Sequence, residues 1–145
     1  MLNNSRNLKT LAAKQYGYFT AKQAKACGLA KRLHSYHVNS GNWLKYNNGL
    51  FRLPGFADSR QAEFVRWSMW SRNNRDQPQG VISHFSALED HGFWSGAESI
   101  VHLTVPPAFR KMSPPECRIH KASLNISVIE SRHGYLVTRL PQTLT

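Results

Sequence analysis

The sequence lacks the long apolar segments and the cysteine pairs typical of membrane and secreted proteins. It contains no run of about 18 apolar residues, and its N-terminal MLNNSRNLKT has no apolar core of the kind that signal peptides carry. Cys27 and Cys117 are the only cysteines and form no Cys-x-x-Cys motif, which indicates two reduced thiols. The sequence therefore predicts a cytoplasmic protein with no membrane partner.

Acidic residues are missing from the first 57 positions. This segment carries nine Lys or Arg side chains and no Asp or Glu, whereas residues 58–145 carry ten basic and all eight acidic side chains. Like charges concentrated in this way repel one another, and a polyanion that releases counterions on binding compensates for the repulsion. The composition therefore indicates nucleic acid as the partner. A basic surface that only keeps the protein soluble is the alternative.

Two helices are predicted at the start of the chain. Apolar residues at helical spacing predict the first over 7–16, and Gly17 ends it. The second is only about two turns long. It begins at Thr20, which forms a capping-box pattern with Gln23, and it stops at Gly28.

A third helix is predicted from near Ala30 to Gly41, with Leu29, Leu33 and Tyr36 as its buried stripe. The free face then contains Lys31, Arg32, His34, Ser35, Val38 and Asn39. A short helix, a turn with glycine and a second helix with a polar, basic face are typical of helix-turn-helix DNA-binding proteins.

A β-hairpin follows this helix in NWLKYNNGLFRLPG. Its strands are predicted over 43–46 and 50–53, joined by an Asn-Asn-Gly turn at 47–49 that tolerates positive φ. Three helices followed by a hairpin predict a winged helix, in which Lys45 and Arg52 are wing residues that face phosphates.

The candidate DNA contacts lie on the third helix and on the wing. Lys31 and Arg32 begin the helix, where such side chains reach guanine O6 and N7 as well as phosphates. For His34 and Ser35 a base contact and a structural role are both open, and Asn39 either binds a base edge or caps the turn. The full set is Lys31, Arg32, His34, Ser35, Asn39, Lys45 and Arg52.

Residues 58–145 mix helices and strands with little charge bias. The predicted elements are a helix within 60–74, a strand over 80–83, a helix capped by Ser83 that ends at Gly92, and strands over 99–105, 117–120, 126–130 and 135–138. The predicted fold class is α+β, with a winged helix-turn-helix domain over 1–57 and a small mixed α+β domain over 58–145.

Patterns for catalysis or metal binding are weak. Glu89 and Asp90 are the only adjacent acids, and no Glu-x-Lys element of a nuclease follows them. His84 and His91 together with Asp90 match no compact zinc spacing. Glycine-rich phosphate loops and Gly-x-Ser-x-Gly elbows do not occur in the sequence. We therefore expect no enzyme activity, no cofactor and no metal.

Five segments are notable for their order and spacing along the chain. They are GYFTAKQAKACGL at 17–29, SGNWLKYNNGLFRLPG at 40–55, VISHFSALEDHGF at 81–93, VHLTVP at 101–106 and LVTRLPQTL at 136–144. In this arrangement the chain resembles the AbiEi antitoxins of abortive-infection type IV toxin-antitoxin systems, which act in phage defence. The resemblance covers nearly the whole chain.

The resemblance implies a transcriptional autorepressor whose winged helix binds inverted repeats in the promoter of its own operon. It also implies that the C-terminal domain opposes a nucleotidyltransferase-like toxin. Paired half-sites imply two chains on the DNA, either as a homodimer or side by side. Family members usually continue past the Thr-Leu at 143–144, so the resemblance further implies a fragment or a short copy.

Two functions therefore follow as expectations. The first is a sequence-specific DNA-binding autorepressor with an antitoxin role. The alternative is a protein-interaction module whose basic face binds an acidic partner without sequence-specific DNA recognition.

Overall fold

Short helices and short strands form two separate compact units, Met1–Ala62 and Glu63–Thr145. The computed structural model describes residues 2–46, 49–93 and 99–139. Each unit combines α-helices with one β-sheet, so the predicted α+β fold class is confirmed. The helices within these ranges are too short or too polar to cross a membrane.

In the described part of the first unit there are three complete α-helices, one 3₁₀ helix and three strands. In chain order these are α1 (Leu2–Ala13), β1 (Tyr18–Thr20), α2 (Ala21–Ala26), the 3₁₀ helix (Lys31–Leu33), α3 (His34–Asn39), β2 (Leu44–Lys45) and β3 (Leu50–Arg52). All strand pairs are antiparallel, and β3 lies between β1 and β2. The core residues are Leu8, Ala12, Phe19, Ala24, Leu29, Trp43 and Phe51.

The predicted capping box of α2 is confirmed. The Thr20 hydroxyl accepts a hydrogen bond from the Gln23 amide at 3.1 Å, and the Gln23 side chain accepts one from the Thr20 amide at 3.0 Å. Two backbone amides at the start of this six-residue helix are thereby satisfied. Helix α1 begins earlier than predicted, but its Leu8 and Ala12 face the core as their spacing indicates.

The β-hairpin is also confirmed, with shorter strands than predicted. Residues Asn47 and Asn48 of its turn lie outside the described part of the chain, and Gly49 has the positive φ of 73° that the turn requires. Strand β1 was not predicted. Its three residues pair with β3, where Tyr18 lies opposite Arg52, so the hairpin belongs to a three-stranded sheet.

Within the residues that the structure describes, the second unit contains a five-stranded sheet and two α-helices. After α4 (Arg60–Trp70), which begins just before the unit boundary, come β4 (Val81–Ile82), α5 (His84–Asp90), β5 (Val101–Val105), β6 (Cys117–Lys121), β7 (Ile129–Arg132) and β8 (Tyr135–Thr138). The strand order is β6-β5-β4-β8-β7, with parallel pairs β5/β6 and β4/β8 and antiparallel pairs β4/β5 and β7/β8.

Most predicted elements of this unit are confirmed with shifted ends. The strand predicted over 126–130 is wrong in its first half, because Ile126–Val128 forms a 3₁₀ helix and β7 begins only at Ile129. Asn125 explains the difference, since its side chain accepts a hydrogen bond from the Ser127 amide and caps that turn. The last residues of the fifth quoted segment, 140–144, lie outside the described ranges.

Candidate nucleic-acid interface

The first unit presents almost all of its positive charge to solvent. Eight of the nine cations in residues 1–57 are exposed, namely Arg6, Lys9, Lys14, Lys22, Lys25, Lys31, Arg32 and Lys45. The unit contains a single acid, Asp58, and this carboxylate is paired with Arg52. The surface therefore carries a positive field with very little acidic compensation, which attracts a polyanion.

The 3₁₀ helix Lys31–Leu33 leads directly into α3, so residues 31–39 form one continuous helical segment. We call its outward side the exposed helix face, and it consists of Lys31, Arg32, Leu33, Ser35, Tyr36 and Asn39. Four of the seven predicted DNA contacts, Lys31, Arg32, Ser35 and Asn39, lie on this face.

The helix is rotated relative to the prediction. Leu29 is buried as expected, but Leu33 is 39% and Tyr36 is 60% exposed, so placing both in the core was wrong. Instead His34 is buried, at 6% exposure, and Val38 is half-buried one turn later. The i, i+4 spacing of His34 and Val38 was the sequence signal for this face.

His34 is therefore a core residue, and the expectation that its side chain lies on the free face is wrong. Its ring lies 5.1 Å from that of Trp43 and 5.9 Å from that of Phe51. Its Nε2 is 2.9 Å from the carbonyl oxygen of Leu29. Because a carbonyl oxygen only accepts, Nε2 carries the proton and donates. An imidazole whose ring nitrogen has a hydrogen-bond partner can be buried among aromatic rings. Hydrophobic periodicity alone does not reveal such a partner.

The C-terminal end of α3 is fastened to the hairpin. The ring of His37 stacks on Trp43 with centroids 4.6 Å apart and an interplanar angle of 22°. The Trp43 amide donates to the His37 carbonyl at 3.1 Å, and the Asn42 side-chain amide donates to His37 Nδ1 at 3.2 Å. These contacts hold the exposed helix face in a fixed position beside β2.

Arg52 does not lie on a wing surface, so the expectation that it faces phosphates is wrong. Its side chain is only 4% exposed. The guanidinium donates to the carbonyl oxygens of Tyr16 and Ala57, both at 3.0 Å, and pairs with Asp58 at 2.7 Å. This arrangement depends on the unpredicted pairing of β1 with β3. Lys45, by contrast, is exposed on β2 as expected.

Three histidines of the second unit form a cluster across α5, β5 and β6. The rings of His84 and His120 stack with centroids 3.7 Å apart, and His102 Nδ1 lies 3.0 Å from His120 Nε2. Burial and the two neighbouring imidazoles lower the pKa of His120 to about 4, and burial also lowers the pKa of His84. His84 and His120 are therefore neutral at pH 7.

Ser83 precedes α5 as predicted, but its hydroxyl does not cap the helix. Its Oγ instead accepts a hydrogen bond from the Thr104 hydroxyl at 2.7 Å and contacts Nδ1 of His84 at 2.9 Å. This pair joins the start of α5 to β5. The serine is buried and its hydroxyl is hydrogen-bonded, so Ser83 has a structural role at this position.

His91 and Asp90 belong to a different network from His84. The Asp90 carboxylate accepts a hydrogen bond from the Tyr135 hydroxyl and pairs with Arg132 Nε at 3.0 Å. His91 Nε2 donates to the Thr138 carbonyl oxygen at 3.0 Å. These contacts fasten the end of α5 to β7 and β8. Among the described residues, no group of three or more His, Cys, Asp or Glu side chains could hold a metal ion.

Both cysteines are free, as predicted. Cys117 is buried, and burial raises the pKa of its thiol to about 12, so the thiolate needed for nucleophilic chemistry is not formed at neutral pH.

The chain matches no protein-family model and no curated protein. Its function is therefore inferred mainly from the geometry described above.

Proposed function

We propose that this chain binds double-stranded DNA through the exposed helix face and acts as a sequence-specific transcriptional repressor. One observation carries the proposal. Eight exposed cations share a unit with a single, internally paired acid, and two of them, Lys31 and Arg32, begin a helix whose outward side is otherwise uncharged. A surface of this kind binds phosphates and presents polar side chains to base edges.

The order of elements in the first unit supports a winged helix-turn-helix. Helices α2 and α3 are separated by the turn at 27–30, and the β2/β3 hairpin follows α3 directly. In the proposed complex the segment 31–39 enters the major groove, which is wide enough for an α-helix. Lys45 on β2 then faces the neighbouring phosphate backbone.

The chemistry of the exposed helix face suits base recognition. Arg32 has the planar fork that pairs with guanine O6 and N7, and Asn39 has an amide that can pair with adenine N6 and N7. Lys31 and Ser35 supply further donors. All four side chains are exposed on one helical segment whose buried side is fixed by His34 and His37.

On the resemblance to AbiEi antitoxins, we further propose that the target is the promoter of the protein's own operon. Inverted repeats in that promoter would bind two chains, and the second unit would oppose a nucleotidyltransferase-like toxin. This part of the proposal rests on the five quoted segments and on their spacing along the chain.

A gel-shift experiment tests the proposal. The full chain is titrated against DNA from upstream of its own reading frame and against unrelated DNA of equal length. Tighter binding to the upstream DNA is expected. Equal and weak binding to both would overturn sequence-specific repression and would favour the alternative, a protein module that binds an acidic partner.

A further inference from the structure

Two large apolar side chains interrupt the otherwise polar helix face. Leu33 and Tyr36 are both exposed and lie three positions apart, so they are next to each other along the helical segment. Arg32 precedes Tyr36 by one helical turn, and Asn39 follows it by three residues. Tyr36 therefore lies at the centre of the exposed helix face, between the two side chains best suited to recognise bases.

The backbone that carries Tyr36 is anchored on its buried side. The neighbouring His37 ring contacts Tyr36 edge to face at 5.4 Å and stacks on the buried Trp43 at 4.6 Å. A tyrosine has only two side-chain torsions, so holding its ring at an interface costs little conformational entropy. The ring is presented from a fixed element, which favours a defined contact.

The major groove presents one purely apolar group, the 5-methyl of thymine. The two apolar side chains lie among side chains that donate and accept hydrogen bonds. This arrangement is complementary to a thymine methyl group next to bases that are recognised by hydrogen bonds. The surrounding positive charge favours DNA over an apolar protein surface as the occupant.

We propose that Leu33 and Tyr36 contact the 5-methyl group of a thymine, so that the DNA bound by this chain carries thymine beside the base contacted by Arg32. The inference rests on the proposed function. It goes further by naming a base, the atoms that distinguish it and two residues that the hydrophobic pattern assigned to the core.

Thymine-to-deoxyuridine replacement tests this inference, because it removes the methyl group and leaves the hydrogen-bonding pattern unchanged. The full chain first selects duplexes from a random pool, and each thymine of the enriched sequence is then replaced in turn. One replacement is expected to weaken binding roughly fourfold, the effect of one buried methyl group.

Variants then connect that methyl group to the two residues. Leu33→Ala combined with Tyr36→Ala is expected to bind the thymine and deoxyuridine duplexes equally. Tyr36→Phe keeps the ring and is expected to keep the preference. Leu44→Ala, which truncates an exposed leucine on the hairpin, is the matched control and should also keep it. Circular dichroism establishes that each variant is folded.

The possible outcomes separate the two proposals. Failure to enrich any sequence would contradict the proposed function itself. An enriched sequence without thymine, or one whose deoxyuridine duplexes bind as tightly as the thymine duplex, would overturn this inference alone. An undiminished preference in the Leu33→Ala, Tyr36→Ala variant would overturn it as well.

Discussion

His34 donates from Nε2 to the carbonyl oxygen of Leu29 at 2.9 Å, and this bond joins the start of α3 to the turn that follows α2. A residue for which a base contact was open instead anchors α3 to the turn between the two helices of the proposed DNA-binding motif. Its neighbours on the helix are thereby turned outward.

Replacing His34 tests this structural role. His34→Phe keeps an aromatic ring between Trp43 and Phe51 but leaves the buried Leu29 carbonyl without its donor. We expect a loss of about 1–3 kcal/mol in the free energy of unfolding, the cost of one unsatisfied buried polar group. Urea unfolding measures it. Unchanged stability would show that the hydrogen bond does not support the fold.

Lys31 and Arg32 are expected to dominate binding to DNA. Lys31→Ala with Arg32→Ala should weaken binding to the selected duplex by about 1–3 kcal/mol for the base contact and lower the salt slope by roughly 1 for each lost phosphate contact. The matched control is Lys9→Ala with Lys14→Ala, which removes the same charge from α1 and its C-terminal end. Equal losses in the two variants would contradict a specific role for residues 31 and 32.

Arg52 is expected to act on stability and not on DNA. Arg52→Met removes the donors to the Tyr16 and Ala57 carbonyl oxygens and the partner of Asp58. We expect the free energy of unfolding to fall by about 1–3 kcal/mol. The salt slope of DNA binding should stay unchanged under conditions where the variant is folded. A lowered slope with unchanged stability would restore the wing role that its sequence position suggested.

The histidine cluster predicts acid sensitivity in the second unit. The pKa of His120 is lowered to about 4, whereas an unfolded histidine titrates near 6.5, so the unfolded state binds more protons between these values. Stability is therefore fully present above about pH 6.5 and declines as the pH falls toward 4. The groups that depress this pKa besides burial are His84, His102 and Arg118.

His120→Phe isolates that contribution. The variant cannot be protonated at this position, so its stability should fall less steeply than that of the parent chain between pH 6.5 and 4.5. Urea unfolding of both proteins across this range measures the difference. Parallel pH profiles would contradict a neutral, acid-sensitive His120.

Local sequence signals predicted most of the fold. The Thr20 and Gln23 capping box, the Asn-Asn-Gly hairpin and the strand predicted over 99–105 depend on neighbouring residues, and the corresponding elements formed. Strand β1 was missed because its stability comes from pairing with β3, whose partner residues lie 30 to 34 positions further along the chain.

The site was predicted less completely, for the same physical reason. Lys31, Arg32, Ser35, Asn39 and Lys45 are exposed because nothing in the fold requires their burial. His34 is buried because Phe51 packs against its ring and the Leu29 carbonyl oxygen accepts from it. Arg52 is buried because the Tyr16 carbonyl oxygen and the Asp58 carboxylate pair with its guanidinium. Hydrophobic periodicity treats both as surface residues, and it assigns the exposed Leu33 and Tyr36 to the core.

The ratio of two affinities tests the central claim most directly. The dissociation constants of the full chain for its own upstream DNA and for unrelated DNA of equal length are measured at about 150 mM salt, where exposed charges are substantially screened. The proposed repressor should prefer the upstream DNA by roughly 1,000-fold or more. Equal affinity for both DNAs would contradict the claim.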